Sequence, residues 1–136
     1  MVPLIVVAAL VALATALGFA HRALNGRARQ LAKAVDLPAD VVLGRNATLL
    51  QFSTEVCSPC RATHTVLDAV ASDRDGISHV DLDLTHRPDL ASQFNILQTP
   101  TTLILDANGT VRARIGGAPQ RATVVAELDR ILVPAA

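Results

Sequence analysis

Hydrophobic and polar positions divide the chain into one long apolar segment and a series of shorter strand-like and helix-like stretches. The apolar segment runs from Val2 to Ala20 without a charged side chain. At about 1.5 Å per residue, a helix of this length spans roughly 28 Å, which is close to the hydrocarbon thickness of a bilayer. The segment therefore predicts a transmembrane helix.

A cleaved signal peptide is the alternative, but it normally has basic residues before a shorter apolar stretch. Here no Lys or Arg precedes the apolar segment, and basic residues follow it closely. They are Arg22, Arg27, Arg29 and Lys33. Because such residues stay on the cytoplasmic side, we expect a single-pass anchor with a cytoplasmic folded domain. The extracytoplasmic orientation is the alternative.

Three parts are expected: an anchor (1–20), a juxtamembrane connector with a short helix (21–46) and a folded domain (47–136). In the connector, Asn25-Gly26 predicts a break, residues 28–35 predict the short helix, and Pro38 closes it. With the anchor set aside, the remaining roughly 100 residues suffice for one modest hydrophobic core.

Two strands and an intervening helix are predicted between residues 47 and 84. The run "ATLLQFS" (47–53) suits a buried strand, and "ISHVDLDL" (77–84) alternates as a strand with one polar face. Between them, apolar residues recur at helical spacing from Pro59 to Arg74. They are Ala62, Val66, Ala69 and Val70. A helix that connects two strands in this way predicts a right-handed crossover and a parallel pair.

The C-terminal part predicts a hairpin and a closing helix. Pro88 opens a short helix, and Asn108-Gly109 lies between two β-rich runs, which is a strong hairpin signal. From Pro119 onward an apolar stripe at helical spacing predicts the last helix. The element order predicts an α/β fold, with a central mixed sheet of four or five strands flanked by helices.

Composition limits the classes of function. The formal net charge is +0, with 12 basic and 12 acidic residues, and the basic residues after Lys33 are scattered. A nucleic-acid partner is therefore not expected. Aromatic residues make up 2% of the chain, so the core must be built mainly from Val, Leu, Ile and Ala.

Both cysteines lie in "FSTEVCSPCRAT", where the predicted buried strand meets the crossover helix. Unpaired backbone N–H groups and the dipole at the helix start favour a thiolate, so we expect Cys57 to have a depressed pKa. Cys60 faces the same way one turn later, close to disulfide distance. Pro59 is tolerated in a first turn and stiffens the loop.

Three roles for the pair were compared. A zinc site needs two further ligands, and the chain has no other cysteine. The candidate histidines are His64, His79 and His86, and His64, one turn after Cys60, is expected to be a solvated helix residue. We therefore expect no metal site. A purely structural disulfide would close too short a loop to stabilise the fold much. A redox-active pair is favoured in this strand-to-helix context.

With these motifs, the chain resembles the thioredoxin family from about Thr48 to Leu132, specifically small membrane-anchored thioredoxin-like proteins of high-GC bacteria. The resemblance rests on "QFSTEVCSPCRA", "VDLDLTHRPDLASQFNILQTPTTLILDANGTV" and the late glycine pair. It implies that residues 57–60 are the active-site motif, that the Thr99-Pro100 bond is cis, and that Gly116 faces the site.

The resemblance also implies a mechanism and partners. Cys57 would attack a protein disulfide, and Cys60 would resolve the mixed disulfide, with no cofactor beyond the dithiol. The Pro100 ring would pack on the cysteines, and the Thr99 backbone would pair with an extended substrate segment. Ser58, Pro59 and Gly116 would complete the substrate-binding surface. We expect a monomer that receives electrons from an upstream thiol reductant or flavin-dependent reductase.

Four positions depart from the family pattern. Gln51 stands where the family has a buried aspartate, and Asp81 stands where a lysine is common. Val56 replaces the tryptophan before the first cysteine, and Ser53 replaces an aromatic residue. One hypothesis is that Asp81, hydrogen-bonded to Gln51, transfers a proton to or from Cys60 through water. The alternative is that Asp81 is a solvated strand residue and that water alone exchanges the proton with Cys60.

The sequence thus predicts a membrane-tethered enzyme that reduces or exchanges protein disulfides. In the extracytoplasmic orientation the same site would act on disulfides outside the membrane, as in cytochrome maturation. A binding module, thiol-based sensor or metal carrier without general turnover is the alternative, because the altered positions remove parts of the family's site.

Overall fold

A five-stranded mixed sheet follows an N-terminal helix in the computed structural model, which describes residues 1–133. In chain order the elements are α1 (Val2–Leu24), β1 (Ala28–Ala34), β2 (Ala47–Ser53), α2 (Ser58–Ser72), β3 (Ile77–Asp83), α3 (Pro88–Gln93), β4 (Thr101–Asp106), β5 (Thr110–Gly116) and α4 (Arg121–Leu132). The predicted α/β architecture is confirmed, with the larger of the two expected strand numbers.

The strand order is β1-β5-β4-β2-β3. The predicted parallel pair of β2 and β3 is present, and the predicted hairpin of β4 and β5 is antiparallel. All seven residues of β2 are buried, because this apolar strand lies inside the sheet between β4 and β3. Because β2 is an interior strand, the start of α2 follows directly from a strand that is paired on both sides.

The short helix predicted over residues 28–35 is wrong, because this segment forms β1. β1 pairs antiparallel with β5, from Ala28 opposite Ile115 to Ala34 opposite Thr110. The sheet therefore begins inside the stretch assigned to the connector. The alanine and basic residues of this segment have a local preference for a helix, but pairing with β5 outweighs it. Their charged side chains are tolerated because β1 is an edge strand.

The core has a layer on each face of the sheet. Apolar side chains of α2 and α4 pack on one face, and those of α3 pack on the other. The predicted stripe of α2 is displaced, because Ala62 and Ala69 are exposed and Val66 is only half-buried. The buried face consists of Cys60, Thr63, Leu67 and Val70. One cysteine of the pair therefore points into the protein.

Helix α1 is long and apolar enough to cross a membrane, and none of its residues is buried against the rest of the protein. A signal sequence near an N-terminus shares these features. Two residues after the end of α1, the chain is already hydrogen-bonded to the sheet, since the Gly26 N–H donates to the Gly116 carbonyl at 2.7 Å. The end of the apolar helix therefore lies within a few residues of the folded domain.

Candidate active site

The two cysteines form a disulfide at the start of α2. Cys57 is the N-cap residue and Cys60 lies in the first turn, with 5.3 Å between their Cα atoms. The Cys60 N–H donates to the Cys57 carbonyl at 3.2 Å, which closes the turn between them. Cys57 is half-buried, whereas Cys60 is only 5% exposed, so a partner molecule approaching from solvent meets Cys57 first.

The residues around the pair leave the disulfide open on one side. Ser58 and Pro59 are exposed in the first turn of α2. Val56, at the position where the family has a tryptophan, is 98% exposed. Proline fits here because first-turn N–H groups have no helical acceptor. Leu97, near the proline segment, is 88% exposed. The active-site loop therefore exposes the aliphatic side chain of Val56 next to Cys57, where the family has an aromatic ring.

The Thr99-Pro100 peptide bond is cis, as the resemblance implied. Pro100 is buried, and its carbonyl accepts a hydrogen bond of 2.8 Å from the Gly117 N–H. The Thr99 hydroxyl lies 3.4 Å from the Thr54 hydroxyl in the active-site loop. In the next strand pairing, Thr101 lies opposite Gly116. These contacts hold the proline segment between the active-site loop and the late glycines.

The side chain of Gln51 lies beneath the pair and is fully buried. Its amide nitrogen donates to the Cys60 carbonyl at 3.0 Å and to the Ser53 hydroxyl at 3.0 Å. Its amide oxygen accepts from His79 Nε2 at 3.0 Å. A neutral residue thus connects the second cysteine to two polar side chains, at a position where the family has a carboxylate.

Asp81 belongs to the same network without touching Gln51 directly. The two residues are opposite each other in the register of β2 and β3, but the Ser53 hydroxyl lies between them and donates to Asp81 Oδ1 at 2.6 Å. Asp81 Oδ2 lies 3.2 Å from Nδ1 of His64. The hypothesised direct hydrogen bond between Gln51 and Asp81 is therefore replaced by a bridge through Ser53.

An open cavity of about 540 Å³ joins the cysteines to this network. Its lining residues are Ser53, Thr54, Glu55, Cys57, Cys60, Arg61, His64, Thr65, Asp81 and Asp83. The Asp81 side chain is 29% exposed, so it is neither freely solvated nor closed off from the cavity. The two cysteines and Asp81 therefore border the same open space.

Two ionisable groups on β3 have displaced pKa values. Burial lowers the pKa of His79 below its ordinary value of 6.5, and the nearby His64 ring lowers it further. Hydrogen bonds from the Thr85 side chain and backbone lower the pKa of Asp83. Near neutral pH, the polar face of β3 therefore presents a neutral imidazole at His79 and a carboxylate at Asp83.

Two participants in the network were missed from the sequence. In the sequence, Ser53 stands out only as a lost aromatic residue and His79 only as an unfavoured zinc ligand, although His79 shares the polar face of β3 with Asp81 and Asp83. The strict alternation of β3 is the signal that places His79 on that face. His64 was expected to be solvated; its side chain is 52% exposed, but it contacts Asp81.

A C-x-x-C disulfide at a helix start, with one accessible and one buried cysteine, defines a thiol–disulfide oxidoreductase. The thioredoxin family model matches residues 33–130. Thioredoxin from Mycobacterium tuberculosis (strain ATCC 25618 / H37Rv) is 31% identical over 94 residues, which cover 68% of this chain and 80% of that protein. The chain belongs to the thioredoxin family.

A longer relative and two solved structures agree with this assignment. The bifunctional thioredoxin reductase/thioredoxin of Mycobacterium leprae (strain TN) is 28% identical over 95 residues, which cover 69% of this chain but only 20% of that protein. A malarial protein of known structure superposes with a TM-score of 0.59 at 25% identity, over 65% of this chain and 99% of the other. Reduced Schistosoma mansoni thioredoxin pre-protein gives 0.56 at 20% identity, over 65% and 81%, and supports the fold alone.

Proposed function

We propose that this protein is a membrane-tethered oxidoreductase that reduces disulfides of protein substrates close to the membrane surface. The observation that carries the proposal is the unequal exposure of the disulfide-bonded pair, with Cys57 open to the cavity and Cys60 buried beneath it. A pair arranged in this way has an attacking and a resolving sulfur.

In the reaction, the Cys57 thiolate attacks one sulfur of a substrate disulfide and forms a mixed disulfide, releasing the first substrate thiolate. Cys60 then loses its proton and attacks the Cys57 sulfur, which breaks the mixed disulfide and releases the second substrate thiolate. Two electrons pass from the dithiol to the substrate, and the protein ends in the disulfide form seen here. The start of α2 supports the first step, because its free N–H groups favour an anionic sulfur.

The substrate segment would lie along the cis-proline side of the site. The ladder between β4 and β5 starts at Thr101, so the backbone at Thr99 is just outside the sheet and near the active-site loop. An extended peptide can add to this edge by main-chain hydrogen bonds. Gly116 makes room for the Gln98 side chain near this segment, since a Cβ on Gly116 would lie 2.5 Å from the Gln98 amide nitrogen.

Proton transfer at Cys60 is assigned to Asp81 through cavity water. Asp81 lines the same cavity as both cysteines. It accepts a hydrogen bond from the Ser53 hydroxyl, and Ser53 accepts one from the Gln51 amide, which also donates to the Cys60 carbonyl. A carboxylate in this position accepts the Cys60 proton during the second exchange and returns it when the disulfide is reduced again.

The electrons would come from a flavin-dependent reductase or another thiol reductant. The name of the Mycobacterium leprae relative joins a thioredoxin reductase to a thioredoxin, which supports a reductase as the partner for this chain. Such a reductase must reach the same exposed Cys57 that protein substrates use. The two partners would therefore alternate at one surface.

Membrane attachment is assigned to α1, and the folded domain is assigned to the cytoplasmic side. Helix α1 has the length of a membrane span, and the basic residues Arg22, Arg27, Arg29 and Lys33 lie in its last turn or closely after it. Basic residues next to a span favour the cytoplasmic side for the chain that follows it. Because only a few residues separate α1 from β1, the active site would serve targets close to the bilayer.

The catalytic part of the proposal is tested with the full chain in detergent micelles. Insulin reduction with dithiothreitol as electron source should be accelerated by the wild type and not by Cys57→Ser. A Cys60→Ser variant should instead accumulate mixed disulfides, because no resolving thiol remains. Equal insulin reduction by the wild type and Cys57→Ser would favour a binding module over an oxidoreductase.

The location is tested with a variant in which both cysteines are replaced by serine and exposed Ser92 by cysteine. A membrane-impermeant maleimide should label this chain only after the cells are permeabilised. Labelling of intact cells would place the domain outside. The mass of the chain recovered from membranes should include α1; loss of that segment would identify a signal peptide.

A further inference from the structure

A second cluster of polar side chains adjoins the active site, and the exchange steps proposed above assign no role to its members. His64 and Asp68 project from α2, and His79 from β3, with one nitrogen or oxygen atom of each lying within 4.8 Å of the others. The two imidazole rings are 4.7 Å apart between centroids. His79 is buried, with its side chain 4% exposed, while Asp68 is 66% exposed at the rim.

The hydrogen bonds around His79 determine which ring nitrogen is free. The Cys60 carbonyl can only accept, so the Gln51 group that contacts it is the NH₂ and the opposite oxygen faces His79 Nε2. Nε2 must therefore carry the proton. In a neutral imidazole this leaves a lone pair on Nδ1, which points toward the Asp68 carboxylate 3.7 Å away.

Two acceptors therefore face each other across that gap. A lone pair and a carboxylate oxygen repel each other unless a proton, a water molecule or a metal cation lies between them. Ligand atoms bound to one tetrahedral zinc ion lie roughly 3.4 Å apart, close to the observed separation of His79 Nδ1 and Asp68 Oδ1. The spacing is too long for a hydrogen bond and suits a shared metal ion.

The third ligand is oriented in the same manner. His64 Nδ1 lies 3.2 Å from Asp81 Oδ2, and because a carboxylate only accepts, Nδ1 carries the proton and Nε2 has the lone pair. A metal-binding histidine normally donates its other N–H to a carboxylate or carbonyl, which fixes the ring for the metal. His64 has Asp81 in this role, and His79 has the Gln51 oxygen.

We propose that His64, Asp68 and His79 bind a divalent transition-metal ion of the zinc type beside the active-site disulfide. Two imidazole nitrogens, one carboxylate oxygen and water complete four-coordination. The exposed side chain of Asp68 rotates to close the remaining distance around the His79 ring. Through Gln51, the ion would be linked to the Cys60 carbonyl.

The site is tested on the oxidised full chain in detergent, after treatment with a chelator and its removal. In this form both cysteines are in the disulfide, so they do not compete for metal. Isothermal titration with Zn²⁺ should give one ion per chain. His64→Gln, Asp68→Asn and His79→Gln should each weaken binding by about tenfold or more, whereas His86→Gln, in an exposed loop, should not.

Asp68→Asn keeps the test decisive if His79→Gln disturbs the buried network, because Asp68 is exposed and its loss removes only a ligand. Co²⁺ provides a spectroscopic check: the wild type should show the visible absorption of a four-coordinate ion, and Asp68→Asn should reduce it. Absence of Zn²⁺ binding, or binding that these three substitutions leave unchanged, would overturn the proposal.

Discussion

The buried side chain of Gln51 donates a hydrogen bond of 3.0 Å to the backbone carbonyl of Cys60. A neutral amide, and not a carboxylate, therefore lies beneath the resolving cysteine. An amide donates and accepts at the same time, so it supports the Cys60 turn on one side and the His79 ring on the other. Neither bond would survive replacement by an apolar residue.

Gln51→Leu should destabilise the protein by about 3 kcal/mol, because the Cys60 carbonyl and the His79 ring are left without partners in a buried environment. Urea unfolding of the oxidised protein measures the change. Gln30→Leu, at an exposed position of edge strand β1, should change stability by less than about 0.5 kcal/mol. Equal effects of the two substitutions would contradict a structural role for the Gln51 network.

Asp81→Asn should slow the second exchange step by about tenfold or more, because the proton acceptor for Cys60 is lost. Reaction of the reduced protein with DTNB, in the presence of EDTA, releases one thiolate from each step and separates their rates. Asp83→Asn is the matched control, since Asp83 lines the same cavity but is bound to Thr85.

The pH dependence of the same step distinguishes the two hypotheses for Asp81. If its carboxylate is the acceptor, the pH–rate profile of Asp81→Asn should differ in shape from that of the wild type. Identical profiles for the wild type and Asp81→Asn would show that water alone accepts the Cys60 proton.

Stability should decrease as the pH falls below about 6.5, because burial lowers the pKa of His79 in the folded state. Between the folded pKa and the ordinary value of 6.5, the unfolded chain binds more protons, so acid favours unfolding. Urea midpoints measured in EDTA between about pH 7.5 and 5.5 should show this slope. His79→Gln should flatten it and His86→Gln should not; an unchanged slope in His79→Gln would assign the effect to another group.

Val56→Trp should raise the catalytic efficiency of insulin reduction about fivefold, because a buried aromatic contact contributes about 1 kcal/mol to binding an apolar segment. Val56 is 98% exposed beside Cys57, so a larger ring there meets the substrate and not the core. Val42→Trp, at another exposed position near the far end of β3, should have no effect. A gain equal in both variants would indicate nonspecific adhesion.

Local patterns were sufficient for most of the elements. The apolar run of β2, the alternation of β3 and the Asn108-Gly109 turn each determine structure within a few residues, and all three predictions are confirmed. The cis bond before Pro100 was implied by the family resemblance and is also present. Amino-acid patterns at this range act through backbone preference and burial, which need no distant partner.

The sequence established the elements around the cysteine pair, because periodicity and turn chemistry are local properties. Tertiary contacts decided the rest: β1 became a strand only by pairing with β5, and α2 turned a different face inward to pack on the sheet. They also placed Ser53 between Gln51 and Asp81, and brought His64 and His79 together from different elements. Hydrogen bonds between neighbouring strands and a crossing helix depend on register and packing distance, which no single segment encodes.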